Sequence, residues 1–220
     1  GEWQEAYDAA ENVLSQKSTL EDLNNEDSKA FNHYESVEML TAYENIYTNT
    51  TSKASLAPAS FLQKIDKDND KRWNIYFGEI NQDGTCPIKK VDGSSQYRCS
   101  FRVGEVFLNS AEAAAQLNKL PEARTRLLQL MKKRYSADYY AQKENIINSM
   151  NQEGLITEIL NERTIELAFE GHHWFDLRRT TRPQIEKILD GKNYLLEQND
   201  ARYTLRIPKS AISANPGLLN

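Results

Sequence analysis

Residues 101–134 constrain the fold of this chain more than any other stretch. Val103, Val106, Phe107, Ala111, Ala114 and Ala115 recur at spacings of three and four, the pattern of a helix with one apolar face. Asn118-Lys119-Leu120-Pro121 makes a turn. Pro121 suits the first position of a second helix, because the N–H it lacks would have no intrahelical partner there. Residues 121–134 continue with Ala123, Leu127, Leu128 and Leu130. Small residues at Ala111, Ala114 and Ala123 let two antiparallel helices approach closely, so the stretch predicts a tight helix pair.

This pair resembles a 34-residue tetratricopeptide repeat, with Ala111, Ala114, Ala123 and Leu127 in its small or apolar positions. Residues 1–17 carry Trp3, Ala6, Ala10, Val13 and Leu14 on one helical face, and resemble the turn and second helix of another repeat. A repeat helix cannot bury its apolar face alone. The expectation is therefore a piece of a longer protein, or another element covering that face. The fold class expected is mainly α: tetratricopeptide-like helix pairs with long irregular loops and a few short strands.

Between these helices the pattern weakens. Residues 18–36 read as loop, 37–47 as strand then loop or a short helix, and 48–58 as a surface loop ending on Pro58. A short helix is expected over 59–67. Asp66, Asp68 and Asp70 have the spacing of a calcium loop, but Lys71 stands where its glycine belongs and Phe77 where its glutamate belongs. Residues 78–100 suit a loop or loose hairpin. The segment after 134, with Tyr135, Tyr139 and Tyr140, reads as long and polar. Helices are expected over 154–170, stopped by a left-handed Gly171, over 174–180, and over 183–189 opening at Pro183. The tail from 203 onward reads as extended, with Pro208 and Pro216 against helix.

Composition excludes some functions. A net charge of −5 argues against general binding to nucleic-acid phosphates. No apolar run approaches the roughly 20 residues of a membrane span. Three Trp, eleven Tyr and seven Phe supply bulk for a core despite a mean hydropathy of −0.72. Cys86 and Cys99 leave two readings open, a disulfide closing a short loop or two free thiols. Neither belongs to a Cys-x-x-Cys pair of the kind that binds zinc.

Residues 161–179, Asn-Glu-Arg-Thr-Ile-Glu-Leu-Ala-Phe-Glu-Gly-His-His-Trp-Phe-Asp-Leu-Arg-Arg, are the densest in chemistry. Glu162, Glu166 and Glu170 fall on one helical face at i, i+4 and i+8. With Asp176 they are candidates for the carboxylate pair of a glycoside hydrolase, and His172 and His173 for metal ligands. Adjacent histidines point apart, however, and the His-Glu-x-x-His order of a zinc helix is missing. The structural reading is stronger. Ile159, Leu160, Ile165, Leu167, Ala168 and Phe169 form an apolar face, continued by Trp174, Phe175 and Leu177. Arg163, Arg178 and Arg179 are expected to pair with Glu162, Glu166, Glu170 and Asp176, since guanidinium and carboxylate match bidentately.

The same stretch resembles the C-terminal signature of the SusD/RagB family, surface glycan-binding lipoproteins of Bacteroidetes. Three other stretches agree with it: Arg102 to Leu108 followed by Ala111-Glu112-Ala113, Asp66 to Arg72 leading into aromatics, and Ile207-Pro208 with Asn215-Pro216. The resemblance implies a SusD-like α/α superhelix and a single C-terminal domain over 1–220. Within it, 1–17 is the second helix of a truncated repeat, 18–100 a loop-rich ligand-facing region, 101–134 the repeat pair and 154–180 the signature. It implies a binding protein without catalysis or cofactor. Such a protein sits on the extracellular face of the outer membrane through a lipid anchor absent from this chain. It hands oligosaccharide or another nutrient to a SusC-like TonB-dependent transporter. The helix pairs alone support a second class, a tetratricopeptide-type protein-interaction scaffold with no small ligand of its own.

Sugar recognition needs flat apolar faces and hydrogen-bonding amides or hydroxyls, mostly on loops. The richest supply lies in Tyr43, Asn45, Tyr47 and Asn49, then Arg72, Trp73 and Tyr76, with Tyr97 as a third group. These are the expected ligand-binding residues.

Overall fold

A computed structural model describes the chain except residues 29, 32, 42–55, 91–100, 190, 216 and 218–220. The described chain forms two compact units, Gly1–Glu170 and Gly171–Asn220, where the sequence leads one to expect one domain.

The first unit is helical. Helix α1 spans Trp3–Gln16, and two single-turn helices follow, α2 (Ala59–Leu62) and α3 (Trp73–Tyr76). Then come α4 (Val103–Gln116), α5 (Leu120–Met131), α6 (Ala137–Ser149) and α7 (Gln152–Glu166). Helix α4 is the hub, packed against α1, α5 and α7. The reason is its sequence: Gly104, Ser110, Ala111, Ala113, Ala114 and Ala115 are all buried, and small side chains leave room for helices on several sides. Leu14, Phe107, Leu127, Leu130, Ile147, Leu155 and Ile159 fill the space between. Helix α4 packs against α1, and Ala10 and Leu14 of the apolar face of α1 are buried.

The turn between α4 and α5 follows from Asn118. Its φ of 59° is left-handed, a conformation Asn tolerates better than most residues. The Asn118 and Lys119 amides donate to the carbonyls of Ala115 and Ala114, which is the Schellman pattern that satisfies the last carbonyls of a helix. Pro121 lies in the first turn of α5.

Helix α6 departs from the expected polar segment. Its polar surface hides a helix because only Ile147 is fully buried; the Arg124 guanidinium donates to the carbonyls of Ile147 and Met150 and holds its end. Helix α7 stops at Glu166 rather than at Gly171, although Gly171 is left-handed at φ 87°. Its N-cap is Asn151, whose side chain accepts from the Gly154 amide.

A second cluster joins Phe31, Ile65, Trp73, Tyr76, Phe77, Cys86, Ile165 and Ala168, with Phe61 and Phe169 against it. Its rings meet edge to face, Phe61 with Phe169 at 5.2 Å and Phe31 with Tyr76 at 6.0 Å. Cys86 is a buried free thiol; Cys99 lies outside the described residues, as do Tyr43, Asn45, Tyr47, Asn49 and Tyr97.

In the second unit, α8 spans His172–Arg179, and strands β1 (Ile185–Leu189) and β2 (Lys192–Leu196) form an antiparallel hairpin. The helix expected over 183–189 is therefore a strand. Asp190-Gly191 between the two runs is a two-residue hairpin signal, and Gly191 takes φ 70°. The tail also differs from its extended expectation. Residues Ala201–Tyr203 form a 3-10 turn and Lys209–Ala214 a helix, α9, with Pro208 as its N-cap. Proline blocks a helix interior but not its start. Trp174 stacks on Tyr203 at 5.0 Å, while Phe175, expected on the apolar face, is 62% exposed.

Candidate functional site

Glu162 and Glu166 of α7 and Glu170 just beyond its end converge on a buried charge network inside the first unit. Its members come from several elements far apart in sequence. Backbone bonds from Lys71 to the Arg134 carbonyl and from Ser136 to the Asn69 carbonyl fasten loop 66–72 to the end of α5. That fastening delivers Asp70, Arg72, Arg134 and Tyr135 to one place. A bond from the Val103 amide to the Glu38 carbonyl does the same for Glu38 and Arg102.

Glu166 is the centre. Its carboxylate accepts from Arg102 Nη1 at 2.5 Å, Arg72 Nη1 at 2.9 Å and Arg134 Nη2 at 2.9 Å. Arg72 also donates to Glu162 at 2.6 Å, to Asp70 at 2.7 Å and to the Tyr135 hydroxyl at 2.7 Å. Arg134 reaches Glu38 at 2.6 Å, and Arg102 and Lys90 reach Glu170 at 2.9 and 2.5 Å. The ring of Phe31 is faced by Lys90, Arg102 and Arg134, with Arg102 at 4.4 Å, so the cations also gain from an aromatic quadrupole.

The network caps α7. The Glu166 carbonyl accepts from Arg102 Nη2, Lys90 Nζ and the Tyr76 hydroxyl, and the Ala168 carbonyl accepts from Lys90. Terminal carbonyls of a helix have no intrahelical donors, and cations there also complement the macrodipole. Phe169, left-handed at φ 66°, is held by its ring contacts with Phe61 and Phe77.

Burial raises the Glu38 and Glu162 carboxyls above their ordinary range, against the pull of Arg134 and Arg72 respectively. Burial acts on Glu166 and Glu170 too, but three guanidiniums hold Glu166 well below that range, and Arg102 with Lys90 lowers Glu170. Burial also pulls the Lys90 ammonium down to about 8, with Glu170 opposing it.

The partners of the three glutamates differ from those expected, while Arg179 pairs with Asp176 as expected. Glu162, Glu166 and Glu170 pair with Arg72, Arg102, Arg134 and Lys90 rather than with Arg163, Arg178 and Arg179. Arg163 donates to Asn109 at 2.6 Å and approaches Glu112 at 3.8 Å, and Arg179 pairs with Asp176 at 2.7 Å. Sequence spacing marked three aligned acids but did not say which distant bases fold onto them. The calcium-like aspartates also separate: Asp66 accepts from the amides of Asp68 and Asn69, while Asp70 turns inward to Arg72. Among the described residues no group of His, Cys, Asp and Glu is arranged to hold a metal ion.

Of the expected ligand residues that are described, Arg72 and Tyr76 are fully buried. They lie at i and i+4 and point together into the network, so neither side chain presents a face to solvent. Trp73 and Phe77 take the neighbouring face of α3. They line an open cleft of about 380 Å³ with Lys67, Asn74, Glu79 and Lys89. The Trp73 ring is 4.8 Å from that of Phe77, with the Lys67 ammonium 5.8 Å above it. The cleft's far wall is fixed by a bridge between Phe77 and Ile88 and by the Gly78 amide donating to the Pro87 carbonyl. Lys67, Asn74, Glu79 and Lys89 carried no sequence signal, because surface polar residues are common everywhere.

No curated protein matches the sequence. Several solved structures share the fold. A SusD superfamily protein from Bacteroides fragilis is 20% identical, with a TM-score of 0.72 over 100% of this chain and 53% of that one. A SusD-like carbohydrate binding protein from Bacteroides vulgatus is 19% identical, with a TM-score of 0.64 over 99% of this chain and 55% of that one. A second Bacteroides vulgatus protein of the SusD superfamily is 18% identical, with a TM-score of 0.65 over 97% and 54%. The chain thus spans about half the length of the solved structures it matches. The SusD family model matches residues 17–220, and the chain belongs to the SusD family.

Proposed function

We propose that this chain binds carbohydrate without catalysis, using the cleft beside Trp73. The observation that carries the reading is the cleft's mixture of side chains. Trp73 and Phe77 offer apolar ring edges, Asn74 an amide, and Lys67, Glu79 and Lys89 charged donors and acceptors. That set matches a ligand with alternating C–H and hydroxyl faces. Family membership supports it, as does the carbohydrate-binding description of one structural neighbour. The non-catalytic part rests on Glu162, Glu166 and Glu170: each carboxylate is buried and ion-paired, so none is available as a free acid or base. The reading extends to a lipid-anchored protein on the outer face of the outer membrane. There it passes oligosaccharide to a SusC-like TonB-dependent transporter, and Tyr43, Asn45, Tyr47, Asn49 and Tyr97 join Trp73 in holding it.

Calorimetry of the full-length protein against a glycan panel tests the reading. Asn74→Ala and Lys89→Ala, both on the cleft rim, are expected to weaken the bound glycan about threefold to tenfold each, with unchanged unfolding midpoints, on the scale of one lost hydrogen bond. Full affinity in both variants would remove the cleft from the binding site. Absence of any glycan ligand would favour the interaction-scaffold reading.

A further inference from the structure

A second cleft, of about 230 Å³, opens in the same unit between α6, α7 and the loop after α2. From its geometry we infer a separate subsite for one neutral polyhydroxylated ring, such as a free monosaccharide. The volume lies below the roughly 300–1,000 Å³ of clefts that bury drug-sized ligands, which limits the occupant to a single ring. Tyr135 and Tyr139, 5.4 Å apart and tilted by 43°, form an aromatic wall.

The charges in the cleft largely cancel. The Lys143 ammonium is 2.8 Å from Glu158, and the Glu162 carboxylate is bound by Arg72 and the Tyr135 hydroxyl. What remains is Lys64 and Asp66, of opposite sign. A ligand with net charge would meet Lys64 and Asp66 together, whose opposite signs offset its hydration loss only in part, whereas a neutral one loses no ionic hydration. The hydrogen-bonding groups left over suit hydroxyls. Among the described residues the side chains of Lys64, Asn161 and Tyr139 hydrogen-bond to no other residue. Together they offer an ammonium, an amide that both donates and accepts, and a phenol. Asp66 accepts from two backbone amides and from the Asn69 side chain, so its carboxylate is held in place at the rim. This inference is independent of the Trp73 cleft.

The test is an NMR titration of the whole chain with glucose, galactose, mannose and N-acetylglucosamine, and with glucuronate as an anionic and ethanolamine as a cationic probe. At least one neutral sugar is expected to shift Asn161 and Tyr139 saturably with a Kd of about 1–10 mM, the range of a single weak ring. Asn161→Ala should weaken it about fivefold or more without moving the unfolding midpoint, since Asn161 is exposed. Asn74→Ala, in the other cleft, should leave it unchanged. The inference is overturned if no neutral sugar saturates the shifts, if glucuronate or ethanolamine binds more tightly, or if Asn161→Ala binds like the parent. Failure of the Trp73 reading would appear instead as oligosaccharide binding indifferent to Asn74→Ala.

Discussion

At the scale of single residues, Glu166 and its neighbours dominate. Five carboxylates (Asp70, Glu38, Glu162, Glu166, Glu170) meet four cations (Arg72, Arg102, Arg134, Lys90) in the buried network. Removing one partner of a buried pair costs far more than the pair contributes, because the other charge is left without water or counter-ion. Arg134→Met is therefore expected to lower stability by about 3–5 kcal/mol in urea unfolding. Glu38→Gln, which keeps the shape of a carboxyl already pushed toward its neutral form, should cost less than half of that. Equal costs would show that the charge count does not govern the network. Gly104 is a second sensitive point. A Cβ there would lie 2.5 Å from Arg102 Nη1 and 2.8 Å from Glu166 Oε1. Gly104→Ala should thus destabilise by about 1–3 kcal/mol, the usual cost of overpacking, although alanine is intrinsically the better helix former. A neutral or stabilising result would mean that the network shifts freely.

At the scale of elements, legibility depended on how each helix or strand is buried. The α4–α5 pair was readable because its apolar and small residues repeat with the helical period and its turn carries Asn118 and Pro121. Helix α6 was not, since a helix that buries little beyond Ile147 leaves no stripe in the sequence. The residues of strand β1 read as helix from Pro183 although the Asp190-Gly191 turn signal lies beside them, and the hairpin pairs Ile185 with Leu196 and Lys187 with Tyr194. Because Gly191 is left-handed, Gly191→Val should cost the hairpin about 1–2 kcal/mol, the price of a side chain in that region. Cross-strand NMR contacts between Lys187 and Tyr194 are expected to weaken while α4 and α5 signals stay in place; an intact hairpin would show that the turn tolerates the substitution.

At the scale of the whole molecule, the network links stability to pH. Glu38 and Glu162 have raised carboxyls, so the folded chain takes up their protons before the unfolded chain does. Stability from them grows as pH falls from neutral toward the ordinary carboxylate range. Glu166 and Glu170 are lowered; their contribution is present above that range and is lost as pH falls through their depressed values. Below neutral pH the unfolding free energy is thus expected to peak in mild acid, and Glu38→Gln should flatten the neutral side of that peak. A steady decline from neutral pH downward would contradict the assignment. Both buried apolar clusters lie within residues 14–168, so a chain ending at Glu170 should unfold in one cooperative transition by circular dichroism. A broad, non-cooperative melt would show that residues 171–220 are needed for that core.

The sequence alone determined the helix pair at 101–134, the mainly α class and the family signature. These are local regularities of period, size and turn chemistry, written in neighbouring residues. Only the tertiary structure decided that the aligned glutamates pair with Arg72, Arg102, Arg134 and Lys90. It alone turned Arg72 and Tyr76 inward while Trp73 lines a cleft. The physical reason is that these outcomes depend on contacts between residues up to 94 positions apart. No local pattern of charge or hydropathy encodes which distant partner will supply the missing counter-ion.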